Sequence, residues 1–258
     1  MNRFRFLSML FSIILIFTLY SAGAQAEIQT RYVDYSHGDV ALSGYLAYDD
    51  VVQGPRPGIY VVHARSGMDE KALEDARMFA RMGYVAFAAD IYGKGVVPQT
   101  VPEMVELSRL YGNDRPLMRA RASAGLNAFS ENPMVDASKI AVIGYCFGGT
   151  VAVELAESGA SLVGVVPVHG SFRNFTPEDA NNIQGPVLIL HGAQDRTAPM
   201  EEVNKLIADL NAADVEWQLE LYSGAEHGFT NPGSPAEERA DREYKAAAER
   251  FFAEVFGG

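Results

Sequence analysis

The chain has one cysteine and one tryptophan among 258 residues, and it is short of basic groups. One cysteine excludes an internal disulfide framework and any zinc cluster built on several thiolates. Lys and Arg number 21 against 33 Asp and Glu, a formal charge of −12. A chain of that sign lacks the basic stripe that nucleic acid requires, and anionic lipid repels it. No two of the five histidines stand at the spacing of a helical zinc site, so no metal is expected. No Gly-x-Ser-x-Gly occurs, so the serine form of the strand–turn–helix nucleophile is missing. The glycines and prolines are dispersed, which excludes collagen-like and disordered chains. What remains is an ordinary globular composition, 48% hydrophobic and 21% charged, and a length that suits one α/β domain.

The one long apolar run lies at the start. Arg3 and Arg5 precede Phe6 to Tyr20, and Ala24-Gln25-Ala26 offers small residues where signal peptidase reads. This is the pattern of a secretory signal peptide over residues 1–26. The alternative is an uncleaved anchor, but the run is short of the roughly 20 residues a span needs. Cleavage removes two arginines and no acid, and leaves a domain of residues 27–258 with charge −14. Export to the periplasm or the medium follows, with no stable membrane association after cleavage.

Ile28 to Tyr35 and Val40 to Tyr48 alternate around His37-Gly38-Asp39 and read as an antiparallel hairpin. Gly54 to Gly58 reads as a turn. Short, wholly apolar runs follow at Ile59–Val62, Tyr84–Ala89, Ile140–Ile143, Leu162–Val168 and Val187–Leu190, and the last strand is Trp217–Tyr222. Such runs fit strands covered on both faces. Between them helices are expected from an Asp69 cap to Met82, then over 103–111, 116–129, 148–157, 200–210 and 236–256. The alternation predicts an α/β fold, a mostly parallel sheet of about eight strands with helices on both faces and the hairpin at one edge.

Gly144-Tyr145-Cys146-Phe147-Gly148-Gly149 lies between a strand and a helix. This is the nucleophile turn with cysteine in place of serine. The turn leaves no room for side chains at Gly144 and Gly148, and it sets the sulfur at a helix N-terminus, which favours thiolate. A thiol nucleophile needs a base, and the base an orienting acid. Asp195 follows the strand ending at Leu190, and His227 follows the last strand. Cys146, Asp195 and His227 thus stand in the chain order nucleophile, acid, histidine, each at a strand end on one sheet edge. His191 and His169 compete as the base, and His63 either lines the pocket or braces its first loop. The oxyanion hole is expected from the backbone N–H of Phe147 and of Ala64 or Arg65.

These segments resemble the dienelactone hydrolase family, a branch of the α/β-hydrolases. The resemblance rests on Ile140 to Glu154, Ala88-Ala89-Asp90-Ile91-Tyr92-Gly93, His191-Gly192-Ala193-Gln194-Asp195 and Trp217 to Pro232. It implies a Cys146, Asp195, His227 triad and hydrolysis of an enol lactone or related ester through a thioester. Two departures stand out. The resemblance implies a Glu at position 64, holding the resting thiol, and this chain has Ala64. A direct Cys146–His227 thiolate–imidazolium pair is therefore expected. The two arginines that bind a substrate carboxylate in that family align with Lys94 and Asn231. Arg65 is a substitute if it turns inward. Tyr92, Tyr145 and His63 complete the expected substrate contacts.

The expected protein is an exported, monomeric hydrolase of a small ester or lactone that needs no cofactor. A peptidase, a thioesterase or acyl transferase, and a non-catalytic binding protein on the same fold are the rival readings.

Overall fold

The alternating stretch at the start folds as the hairpin its periodicity predicts: β1 (Ile28–His37) pairs antiparallel with β2 (Val40–Asp49), His37 opposite Val40. Gly38 turns the corner at φ 56°. The computed structural model describes residues 27–51, 53–173 and 175–257, so the expected leader lies outside the described residues.

The apolar runs then form the centre of one sheet. In chain order these are β3 (Arg56–Val62), β4 (Val85–Ala89), β5 (Val135–Tyr145), β6 (Gly164–Val168), β7 (Val187–Gly192) and β8 (Trp217–Tyr222). The spatial order is β1-β2-β4-β3-β5-β6-β7-β8. The pairs β4–β3–β5–β6–β7–β8 are all parallel, while β2 runs antiparallel to β4 at the edge. The expected eight-stranded, mostly parallel α/β sheet is therefore what forms. The largest boundary differences are at the starts of β3 and β5. Arg56 and Pro57, read as turn, open β3, because Arg56 N–H donates to Met134 O and pairing with β4 begins only at Gly58. Pro57, without an N–H, thus precedes that ladder. β5 likewise starts at Val135, opposite Arg56, and is irregular before Ile140.

The helices are α1 (Glu70–Arg81), α2 (Val101–Asn113), α3 (Arg115–Ser130), α4 (Phe147–Glu157), α5 (Met200–Ala212) and α6 (Pro235–Val255). Asp69 caps α1 through Ala72 N–H, and Thr100 with Glu103 forms a capping box on α2. Strand alternation sends Tyr60, Val62, Phe87 and Val142 to one face, against Phe129 of α3, Leu155 of α4 and Leu206 of α5. It sends Ile59, Val61, Ala88 and Ile143 to the other, against Phe79 of α1 and Phe252 of α6. Both faces are dry, so the loops at the strand ends are the ground left for chemistry.

Candidate active site

One residue separates β5 from α4. That residue is Cys146, at φ 54° and ψ −113°, a conformation in which only a tight turn holds a side chain with a Cβ. The flanking glycines make the turn possible. A Cβ on Gly144 would stand 1.9 Å from Gly148 O, and one on Gly148 would stand 2.3 Å from Val62 O. The sulfur is thereby lifted over the first turn of α4.

Asp195 lies just past β7. Its Oδ1 accepts from the N–H groups of Thr197 and Ala198, both at 2.8 Å, which leaves Oδ2 free to face outward. His227 lies past β8, in a turn bounded by Gly224 and Gly228, both at positive φ. Its Nδ1 is 2.8 Å from Asp195 Oδ2, and its Nε2 is 3.1 Å from Cys146 Sγ. The structure thus brings the three sequence candidates into one hydrogen-bonded line.

The electrostatics follow from those contacts. Burial pushes the Cys146 thiol up, but the hydrogen bond and charge of His227, the Phe147 N–H and the Arg65 guanidinium outweigh it and bring the thiol below its ordinary value. Burial depresses His227, and the bonds to Asp195 and Cys146 reverse this and raise it to about 9. Asp195 is lowered, because the His227 and Ala198 bonds override its burial. The arrangement favours thiolate beside imidazolium. Ala64 lines the same cleft and brings no carboxylate to compete for the sulfur.

The rival histidines are occupied otherwise. His191 donates from Nε2 to Ala198 O at 2.8 Å, behind Asp195. His63 is buried, with Nδ1 2.7 Å from Ala64 O and Nε2 accepting from Ile91 N–H. It braces the first loop and lines neither cleft. His169 sits under His227, and its Nδ1 accepts from the Cys146 N–H at 3.0 Å.

Two cavities open on the Cys146–His227 pair, with Arg65 on the rim of both. One, of about 310 Å³, runs between α2 and α4 past Arg109, Met118, Thr150 and Arg173. The other, of about 520 Å³, runs toward α1 past Lys71, Asp75, Tyr145 and Asn231. Tyr145 and Asn231 therefore stand where substrate contacts were expected. Lys94 and Tyr92 do not. Lys94 is 2.5 Å from Asp34 and lines a separate cavity of about 590 Å³ against the β1–β2 hairpin. That cavity is the largest of the three, but neither Cys146 nor His227 lines it. Tyr92 is buried and donates to Arg65 O at 3.2 Å, so it supports the loop rather than the ligand. Arg109 was not foreseen: it lies on an exposed helix face, which carries no sequence signal. Neither Arg65 nor Arg109 has an ion-pair partner among the described residues, whereas Arg173 pairs with Glu202. Among the described residues no cluster of His, Cys, Asp or Glu has the make-up of a metal site.

Comparison with known proteins bears on the family and the fold. A model of the dienelactone hydrolase family matches residues 42–256. A dienelactone hydrolase-like promiscuous phosphotriesterase from metagenomic libraries superposes with a TM-score of 0.84 at 34% identity, over 89% of this chain and 99% of its own. A solved structure named m3DLH gives 0.85 at 35% identity, over the same shares. A protein of Synechocystis sp., provisionally named a carboxymethylenebutenolidase, is 25% identical over 235 residues, 86% of this chain and 93% of its own.

Proposed function

The chain belongs to the dienelactone hydrolase family and is a hydrolase acting on ester bonds, and on that premise we propose that it cleaves an enol lactone or small ester through a thioester on Cys146. The observation that carries this is His227, bonded to Asp195 on one side and to the sulfur on the other.

In the resting state the proton is on His227 and the negative charge on sulfur. The thiolate attacks the ester carbonyl. The oxygen takes the charge and is held by the N–H groups of Phe147 and Arg65, a contribution worth about 10²–10³ in rate per donor. Collapse breaks the C–O bond, and the leaving enolate or alkoxide takes the His227 proton. Acylation also removes the sulfur charge, which is one of the causes that raise His227. The imidazole is then neutral and able to take a proton from water. Water attacks the thioester, sulfur leaves as thiolate, and His227 is protonated again. An enolate or phenolate leaves readily, which suits a thiol nucleophile. An amide nitrogen does not, and this disfavours the peptidase reading.

The two unpaired guanidinium groups, Arg65 and Arg109, favour a substrate bearing a carboxylate on its acyl side. They take over the role that the resemblance gave to positions 94 and 231. Export belongs to the same proposal, since Arg3, Arg5, the Phe6–Tyr20 run and the Ala24-Gln25-Ala26 site support a cleaved leader.

The test is turnover of p-nitrophenyl acetate by the parent, Cys146→Ala and His227→Ala, with electrospray mass of the enzyme quenched during turnover. An acyl adduct on the parent, and loss of turnover in both variants, is the expected result. Parent turnover that survives Cys146→Ala would remove the thioester mechanism. A p-nitrophenyl phosphotriester belongs on the same panel, since the neighbour at 34% identity is a phosphotriesterase.

A further inference from the structure

Among the described residues, three other than glycine hold a positive φ: Cys146, His169 and Asp214. Two of the three touch each other. The Cys146 N–H is shared between Val168 O and His169 Nδ1, both at 3.0 Å. His169 stands at the end of β6, one strand over from the turn that carries the sulfur. On its far side, Nε2 is 3.1 Å from Thr230 Oγ1. Thr230 is three residues beyond His227 in the same loop. The ring lies 5.0 Å from that of His227 and meets Phe229 edge-on at 5.2 Å. His169 is 2% exposed.

These contacts fix the tautomer. Nδ1 accepts from an amide, so it carries no proton, and the ring hydrogen is on Nε2, where it donates to the Thr230 hydroxyl. Burial and the His227 charge keep the ring neutral. One imidazole therefore spans from the nucleophile's own backbone to the loop that carries its base.

We propose that His169 is a positioning residue for the hydrolysis: a neutral strut that sets the Cys146–His227 distance by bonding the Cys146 amide and Thr230 at once. Its ring forms part of the wall of the cavity toward α1, but both ring nitrogens are taken by the Cys146 amide and Thr230, so neither bonds the sulfur or Nε2 of His227. The sulfur and Nε2 of His227 are held by backbone segments from two different strand ends, and a slip of a few tenths of an ångström weakens the ion pair. His169 ties those segments together and, like the residue it serves, holds a positive φ at its own strand end. The proposal rests on the reading of Cys146 and His227 as the working pair.

The test uses the intact protein and separates the two bonds. In His169→Asn, Oδ1 takes the place of Nδ1 and the side chain tolerates the positive φ, but it does not reach Thr230. In His169→Gln the far donor survives and the near acceptor is lost. Thr230→Val removes the hydroxyl with little change of shape. The readouts are the pH midpoint of Cys146 alkylation by iodoacetamide, and kcat and KM for p-nitrophenyl acetate. His169→Gln is expected to lower kcat about three- to tenfold, the worth of one neutral hydrogen bond, with KM unchanged and the alkylation midpoint moved upward. His169→Asn recovers much of the midpoint. Thr230→Val moves it in the parent and does nothing further in the His169→Asn background, because the bond is already gone. Folded variants that keep the parent midpoint and kcat overturn the proposal. If the His169 variants do not fold, Thr230→Val decides alone, and a parent-like midpoint there is equally fatal. Turnover surviving in Cys146→Ala would instead sink the nucleophile assignment, so the two failures are distinct.

Discussion

Replacing His227 by Ala removes the cation that holds the Cys146 thiolate, and the size of the effect follows from one distance. Two unit charges 3.1 Å apart, as Nε2 and Sγ are, attract by about 1.3 kcal/mol at a dielectric of 80 and about 5 kcal/mol at 20. The His227 side chain is 19% exposed, which places the pair between those limits. At roughly 1.4 kcal/mol per pH unit, the thiol is expected to rise by about 1 to 4 units, with about 2 as the working value. The rate at neutral pH falls by less than the thiolate fraction does. A rise of about 2 units cuts the thiolate by at most about 100-fold, but the more basic sulfur is about tenfold more nucleophilic, so alkylation slows by up to about tenfold. The assay is the iodoacetamide rate from acid to alkaline pH, followed by loss of free thiol in parent and variant. The parent is expected to titrate well below an ordinary thiol and the variant near or above it. Asp195→Asn should fall between, because it keeps the imidazole and removes the charge that raises it. Coincident curves for parent and His227→Ala would refute the ion pair, and with it the reading of Ala64 as a relief from competition for the sulfur.

Four further outcomes are expected. Ala64→Glu puts a carboxylate in the cleft beside Cys146, so alkylation at neutral pH should slow; an unchanged rate would show that the side chain turns away. Gly148→Ala drives a Cβ to 2.3 Å from Val62 O, a backbone atom that cannot yield, and a thermal melt should show a loss of at least the 1–3 kcal/mol usual for overpacking. Arg65→Gln and Arg109→Gln should raise KM for a p-nitrophenyl hemisuccinate several-fold and leave KM for the acetate ester unchanged, while Arg65→Gln lowers kcat on both esters through the charge lost beside Cys146; equal KM effects on both esters would count against a carboxylate subsite. In the buried cluster of Arg115, Arg119, Glu154, Glu157 and Asp179, three acids face two bases, and burial first, then Glu154, pushes Glu157 up to about 8. A carboxyl raised above its unfolded value contributes fully below that value, about 4.3, and loses its contribution as pH climbs to the folded value near 8, so urea midpoints should fall between about pH 4.5 and 8, and Glu157→Gln should flatten that slope.

The fold was legible because each buried strand is a short apolar run, and the site because it sits where those runs stop. Asp195 and His227 are far apart in the chain, yet both follow such a run, and one parallel sheet brings all its strand ends of one kind to one edge. The Cys146 turn was legible for a steric reason, since Gly144 and Gly148 have no other use at that spacing. The errors lie where a contact depends on a distant side chain. Lys94 was expected at the ligand, but Asp34, on a hairpin sixty residues earlier, holds it. Tyr92 was expected there too, and it turned to the Arg65 carbonyl. Arg109 projects from the solvent side of α2, where an arginine is unremarkable until α4 places the nucleophile opposite. Sequence spacing reports which strand end a residue occupies; it does not report which of several neighbours claims its polar atoms.

The histidines show what decides the matter. His63, His169, His191 and His227 all lie at or beyond the ends of strands, and chain position alone left three of them open as the base. Three have neutral hydrogen-bond partners: a carbonyl and an amide for His63, an amide and a hydroxyl for His169, a carbonyl for His191. Each of these is depressed by burial. Only His227 has a carboxylate on one nitrogen and a sulfur on the other, and only it is raised. A buried imidazole takes a proton when its partners carry the opposite charge, and not otherwise. A neutral ring at His169 also leaves the charge in one place: a second imidazolium at 5.0 Å, the distance of His169, would compete for the same carboxylate and thiolate. The base is therefore set less by its own position than by which ring holds the direct hydrogen bond to a carboxylate: His191, whose Nε2 is 3.8 Å from Asp195 Oδ2, gives that nitrogen to Ala198 O instead.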